Sequence, residues 1–161
     1  MEKKDLKPAG VFKYFEEICQ VPRPSKKEEK MIAYLKTFGA KHNLETKVDE
    51  AGNVLIKKPA TPGKENLQTV VLQSHIDMVC EKNNDVQHDF LTDPIETEID
   101  GEWLKAKGTT LGADNGIGVA TELAILADDS IEHGPLECLF TVDLSLIPIS
   151  EPTRLDVISY A

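Results

Sequence analysis

Apolar residues recur at helical spacing in two stretches near the start of the chain, residues 7–20 and residues 26–42. The first stretch carries Val11, Phe15 and Ile18, and the second carries Met31, Leu35 and Phe38. Two prolines within residues 21–24 separate the predicted helices, because proline lacks an amide donor and restricts the residue before it. Ser25, followed three residues later by Glu28, predicts a capping box at the start of the second helix.

Strand patterns follow, and they are joined by turn signals. Two antiparallel hairpins are predicted, over residues 46–56 and 96–106, and Asp100-Gly101 is the expected two-residue turn of the second. Residues 69–77 form the most strand-like run, and their nearly unbroken apolar start predicts a strand buried on both faces. A glycine-rich stretch then leads into a third helix, and residues 136–142 form another apolar strand.

The order of these elements predicts the fold class. Helices and strands interleave along the whole patterned region, which is typical of an α/β domain built in layers around a sheet. The hairpins require antiparallel pairs, so we expect the central sheet to be mixed.

Composition and charge exclude several classes of function. The chain has 161 residues, with 28 acidic and 18 basic side chains, and its net charge of −10 argues against nucleic-acid and anionic-membrane partners. No stretch approaches the roughly 20 apolar residues of a membrane span, and the charged start does not resemble a signal peptide. Three widely spaced cysteines without a CxxC pair indicate reduced thiols in a cytoplasmic protein rather than a thiolate zinc site.

A histidine and an aspartate at the end of the main strand are candidates for metal chemistry. His75 and Asp77 are two residues apart, so their side chains project from the same face of a strand. A metal-bound histidine usually has a carboxylate or carbonyl on its second ring nitrogen. Imidazole and carboxylate ligands suit zinc, manganese or cobalt. The pattern alone leaves open a surface His–Asp pair without metal.

Asp114 and Asp143 are two further candidates in positions where ligands gather. Asp114 lies between glycines just before a helix, and Asp143 follows the last apolar strand. Asp114 is also typical of a helix N-cap, so both interpretations stay open on this pattern. No GxGxxG or Walker motif is present, which disfavours a nucleotide-binding α/β domain, and no nucleophile elbow surrounds a serine.

Two long motifs resemble those of a known family. Residues 71–81, VLQSHIDMVCE, and residues 103–118, WLKAKGTTLGADNGIG, resemble the two metal motifs of the aminoacyl-histidine dipeptidases, bacterial cytosolic zinc enzymes among the co-catalytic metallopeptidases. Pro24-Ser25 and residues 52–54 also match the opening of that family. The resemblance extends from about residue 6 to residue 143. It favours metal binding over a surface His–Asp pair at residues 75 and 77 and over a helix N-cap at Asp114.

The resemblance implies a fold, a reaction and residue roles. The fold would be the layered zinc-peptidase catalytic domain, truncated, and the reaction would be hydrolysis of Xaa-His and other dipeptides. His75 would bind one zinc ion, Asp114 would bridge two, and Asp77 would be the catalytic residue that orients His75. Manganese or cobalt could replace zinc, and the peptide bond after Asp114 would be cis. Family members are cytoplasmic and oligomerise through a domain that this sequence does not contain.

The resemblance ends at residue 143. The family continues there with two glutamates, a general base and a metal ligand, whereas this chain has Leu144 and Ser145. We therefore expect residues 1–143 to be the N-terminal part of the catalytic domain and residues 144–161 to be a non-family tail without regular structure. The tail resembles a translated sequencing adapter, and a frameshifted or naturally truncated gene is the alternative. The chain is predicted to be inactive, and a non-catalytic metallopeptidase-like binding module is the competing hypothesis.

Overall fold

A computed structural model describes residues 3–143 of the chain, and the predictions made for residues 144–161 lie outside this range. A short 3-10 turn at Lys3–Asp5 precedes the main elements. These are α1 (Ala9–Cys19), α2 (Glu29–Lys41), β1 (Glu45–Val48), β2 (Val54–Lys58), β3 (Val70–His75), β4 (Thr97–Asp100), β5 (Trp103–Ala106), α3 (Ala113–Ala127) and β6 (Leu136–Thr141).

Four of the strands form a mixed sheet in the order β1-β2-β6-β3. The β1/β2 and β2/β6 pairs are antiparallel, whereas β3 and β6 are parallel. Strands β4 and β5 make a separate two-stranded ribbon. The parallel pair places His75 beside Thr141, so the carboxyl ends of β3 and β6 reach the same edge of the sheet. The mixed α/β sheet that the sequence predicts is thus confirmed.

The core forms where the helices pack onto the sheet and onto each other. Helices α1 and α3 lie in close contact, and a Cβ atom on Gly10 would stand 3.4 Å from the Cβ of Ala124. Helix α3 also packs on β3, while α2 covers β1 and β2. The largest fully buried apolar side chains are Phe15, Phe140, Ile18, Met31, Leu35, Ile56, Ile76, Leu123 and Leu126. This core fixes the positions of β3 and α3, the elements that lead into the candidate site.

Burial on both faces was expected for β3, and this prediction is wrong for its first half. Val70 and Val71 are each 49% exposed, and only the last two residues of the strand, Ser74 and His75, are buried. The physical reason is that β3 is an edge strand of the described sheet, with β6 as its neighbour there. The apolar side chains at the start of β3 are therefore exposed, because the described residues do not cover them.

The capping box predicted at the start of the second helix does not form. Helix α2 begins at Glu29, and no side chain caps its first turn. The hydroxyl of Ser25 instead donates a hydrogen bond to Asp77 Oδ2, over 2.6 Å. Glu28 Oε1 accepts the main-chain N–H of Lys26, which has a left-handed φ of 66°. A long-range partner therefore replaces the local hydrogen bond that the sequence pattern indicates.

The second hairpin is present, with its turn shifted by one residue. Asp100 pairs with Trp103, so the two loop residues are Gly101 and Glu102 rather than Asp100 and Gly101. Gly101 has a φ of 62°, which supplies the left-handed conformation that a tight hairpin turn needs.

Cys19, Cys80 and Cys138 are free thiols, as the sequence predicts. Among the helices of residues 3–143, none is long and apolar enough to cross a bilayer.

Candidate metal centre

His75 and Asp77 form a buried pair at the carboxyl end of β3. His75 is 8% exposed and Asp77 is fully buried. The Nδ1 atom of His75 lies 3.1 Å from Asp77 Oδ1 and 3.2 Å from the main-chain oxygen of Asp77. Both neighbours are acceptors, so they favour the tautomer that carries its proton on Nδ1. The Nε2 atom then keeps a free lone pair, as a metal-binding imidazole requires.

Asp114 lies in the irregular first turn of α3. The main-chain angles of Asp114 (φ −91°, ψ 108°) and Asn115 (φ −107°, ψ 35°) are not helical, and the peptide bond between them is cis, as expected. Gly112 occupies the N-cap position with a φ of 70°, and no side chain caps the helix. The side chain of Asp114 is 97% exposed. Asp114 is therefore not an N-cap, and its carboxylate projects into solvent.

The two motifs meet at this edge of the sheet. His75 Nε2 lies 3.1 Å from Asp114 Oδ1. Ligand atoms that each bind one zinc ion at about 2.0–2.2 Å stand about 3–3.5 Å apart, so the two atoms can contact the same ion. The convergence expected from the sequence is thus found. The donor set, one imidazole nitrogen and one exposed carboxylate, fits zinc, manganese or cobalt.

The segment between α1 and α2 supports this pair, and sequence reasoning missed its role. Ser25 holds the second carboxylate oxygen of Asp77. The buried guanidinium of Arg23 donates to the main-chain oxygens of Ile76, over 3.1 Å, and Gly112, over 2.7 Å. Burial lowers the pKa of Arg23. These partners are distant in sequence, so the one available signal was that Pro24-Ser25 matches the family opening.

Asp143, the remaining candidate from the sequence, makes no hydrogen bond to this pair among the described residues. It follows β6 with a φ of 55°, and its main-chain N–H donates to Glu28 Oε1 over 3.2 Å. Within residues 3–143, no hydrogen bond joins it to His75 or Asp114, and no set of three or more His, Cys, Asp or Glu side chains is arranged to hold a metal. The described site therefore offers two ligands for one ion.

A buried carboxyl group on α3 lies beside Ser74, the residue before His75. Glu122 of α3 is 4% exposed, and burial raises its pKa to about 7. Ser74 and Cys138 are polar neighbours that partly offset this effect. Nothing in the sequence pattern predicted this glutamate in the core.

The chain is similar to known peptidases in sequence and in structure. It is 52% identical over 141 residues to the cytosol non-specific dipeptidase of Escherichia coli (strain K12), covering 88% of this chain and 29% of the relative. The crystal structure of aminoacylhistidine dipeptidase from Vibrio alginolyticus matches with a TM-score of 0.86 and 54% identity, over 89% of this chain and 29% of that one.

A tripeptidase structure from Staphylococcus aureus matches with a TM-score of 0.67 and 22% identity, over 83% of this chain and 36% of that one, which shows a shared fold alone. No protein-family model matches the chain. The chain spans about 29% of the length of the two dipeptidases that it resembles. In sequence and fold, the similarity is to the aminoacyl-histidine dipeptidases, as the two motifs predict.

Proposed function

We propose, from the similarity of this chain to the aminoacyl-histidine dipeptidases, that it carries the N-terminal part of the catalytic domain of a metal-dependent dipeptidase. The observation that carries the proposal is the 3.1 Å approach of His75 Nε2 to Asp114 Oδ1, with Asp77 on the other ring nitrogen. The substrates proposed for the whole enzyme are Xaa-His and other dipeptides. Its proposed location is the cytoplasm.

Each of the three side chains has a distinct proposed role. His75 and Asp114 bind metal, and Asp114 is exposed enough to bridge to a second ion. Asp77 does not bind metal, because His75 and Ser25 occupy its two carboxylate oxygens. It orients the imidazole, which is the usual role of a carboxylate behind a metal-bound histidine. A bound zinc, manganese or cobalt ion would polarise the scissile carbonyl and lower the pKa of water.

We further propose that a polypeptide of these 161 residues has little or no peptidase activity and binds metal weakly. A zinc site normally uses three or four protein ligands, and the described residues bring two together. Leu144 and Ser145 stand where the family resemblance places a general base and a further ligand. Loss of a general base alone typically slows a reaction ~10²–10⁴-fold. Isothermal titration with zinc should therefore give weak binding and no second tight site.

A chimera tests the dipeptidase proposal directly. Residues 1–143 are joined to the continuation of the Escherichia coli relative, and hydrolysis of a dipeptide with C-terminal histidine is measured. The chimera is expected to be active, and His75→Ala or Asp114→Asn is expected to abolish turnover. His88→Ala is the matched control, because this histidine packs on Phe90 and should leave activity unchanged.

The outcomes separate the two hypotheses. A folded chimera that binds metal but hydrolyses no dipeptide, while the intact relative does, would favour the non-catalytic binding module. Full activity of the His75→Ala chimera would refute the assignment of His75 as a ligand. Oligomerisation of the whole enzyme, proposed from the family resemblance, is measured on the same chimera by light scattering.

A further inference from the structure

Arg23 is a buried cation that joins the two loops of the candidate site. The residue is 2% exposed, and its guanidinium donates to three main-chain oxygens. Nη1 lies 3.1 Å from the oxygen of Ile76 and 3.4 Å from that of Asp77, and Nη2 lies 2.7 Å from the oxygen of Gly112. One planar group therefore binds the chain just after His75 and the chain just before Asp114.

The chain near Asp114 approaches Arg23 closely. A Cβ atom on Gly112 would stand 2.6 Å from Arg23 Nη2 and 2.8 Å from Met78 Sδ, and one on Gly116 would stand 2.8 Å from the same Nη2. Both glycines therefore leave the space that the guanidinium fills. The guanidinium of Arg23 therefore packs directly against the turn that carries Asp114.

The main chain around Arg23 fixes the other half of the site. The N–H of Met78 donates to the oxygen of Arg23 over 3.0 Å, and Pro24 and Met78 form an isolated parallel bridge. Ser25 then donates to Asp77 Oδ2 over 2.6 Å, while Asp77 Oδ1 faces His75. The segment 23–25 thus determines both the position of the loop after β3 and the orientation of Asp77.

We propose that Arg23 and Ser25 are positioning residues of the metal site: Arg23 sets the separation of His75 from Asp114 through its main-chain contacts, and Ser25 orients Asp77 behind His75. This inference rests on the proposed function, because it assigns the purpose of the segment to metal binding. An arginine suits the role, since its fork carries several donors in fixed directions and spans two chain segments at once. A lysine keeps the charge but cannot reach both segments with the same geometry.

The test compares zinc affinity in the full 161-residue chain and its variants. Zinc is titrated while NMR follows the His75 ring nitrogens, which report coordination at Nε2 and tolerate weak binding. Arg23→Lys and Ser25→Ala are each expected to weaken zinc binding about 10- to 100-fold, the usual loss when a group behind a metal ligand is removed. Lys58→Met is the matched control, because Lys58 is another buried cation (8% exposed) that donates to main-chain oxygens, those of Ile125 and Asp128.

The control separates positioning from stability. Lys58→Met is expected to lower the free energy of unfolding in urea without changing zinc affinity. If Arg23→Lys behaves in the same way, with lower stability and unchanged affinity, the proposal is overturned. A folded Ser25→Ala variant with the zinc affinity of the parent chain would overturn the role of Ser25.

Amide hydrogen exchange on the metal-free proteins gives a second readout. Arg23→Lys is expected to accelerate exchange at residues 76–78 and 112–116, whereas Lys58→Met should leave these amides unchanged. If the parent chain binds no zinc, the weak metal binding proposed for this chain fails, and the dipeptidase proposal is decided separately on the chimera. The exchange data then decide separately whether Arg23 holds the two loops together, and unchanged exchange in Arg23→Lys would refute that link.

Discussion

Replacement of Glu122 by glutamine is expected to stabilise the chain at mildly alkaline pH and to leave its stability in acid nearly unchanged. Glu122 lies on α3 with 4% of its surface exposed, beside Ser74 and Cys138. Among the described residues, its Oε2 atom has no hydrogen-bond partner. Burial raises the pKa of this carboxyl from 4.5 to about 7, because the charged form loses its hydration inside the core.

The size and sign of the effect follow from that pKa. Each pKa unit corresponds to about 1.4 kcal/mol, so the shift from 4.5 to about 7 is equivalent to about 3 kcal/mol. Between these two values the folded chain binds more protons at Glu122 than the unfolded chain does. Stability from this group is therefore fully present below about pH 4.5 and declines as pH rises through about 7. Glutamine has the same shape and no charge, so it removes this decline.

Urea unfolding at several pH values measures the difference. Between about pH 5 and about pH 8, the stability of Glu122→Gln relative to the parent should rise by about 2–3 kcal/mol. Glu102→Gln is the control, because Glu102 lies exposed in the β4–β5 turn and its variant should follow the parent curve. Parallel curves for the parent and Glu122→Gln would refute the reasoning, since they would mean that Glu122 ionises equally in both states.

Three other changes test the packing of the fold. Gly112→Ala is expected to lower the free energy of unfolding in urea more than Gly63→Ala does. Both glycines have positive φ (70° and 86°), but only at Gly112 would the new Cβ meet Arg23, at 2.6 Å. Equal losses of stability would contradict this. Val71→Lys, on the exposed edge strand, should reduce aggregation in light scattering and change stability by no more than about 0.5 kcal/mol. Removal of residues 144–161 should change the free energy of unfolding by no more than about 1 kcal/mol, and a chain that unfolds on removal would show that they belong to the domain.

The sequence predicts the elements of this fold well because most of them rest on local patterns. Helical spacing places α1 within residues 7–20, and the turn signals locate both hairpins. The errors occur where a distant partner decides the outcome. The exposed start of β3 depends on strand order, which no local pattern contains. Ser25 carries a perfect capping signal yet bonds to Asp77, because the chain around Pro24 pairs with the loop after β3.

The same distinction between local patterns and distant partners applies to the candidate site. His75 and Asp77 are neighbours on one strand, so their pairing follows from a period of two residues. The approach of Asp114 could be expected from the position of both motifs at one edge of the sheet. Arg23 and Glu122 gave no such signal, because a buried charge is recognised only when its surroundings are known. Sequence analysis therefore finds candidate ligands more readily than the residues that hold them.

The environments of Asp77 and Asp114 explain how two identical side chains support different proposed roles. Asp77 is fully buried, and Ser25 and His75 engage its two oxygens, so a metal ion could reach it only by breaking both contacts. Asp114 is 97% exposed, and its carboxylate touches the ring of His75 at the nitrogen that Asp77 leaves free. An exposed carboxylate keeps lone pairs for a cation at little desolvation cost. A buried carboxylate whose two oxygens both have hydrogen-bond partners is better suited to orient its neighbour. Asp77→Asn is therefore expected to weaken zinc binding while Nε2 of His75 remains the coordinating atom in NMR spectra. Unchanged zinc affinity in a folded Asp77→Asn variant would contradict the orienting role of Asp77.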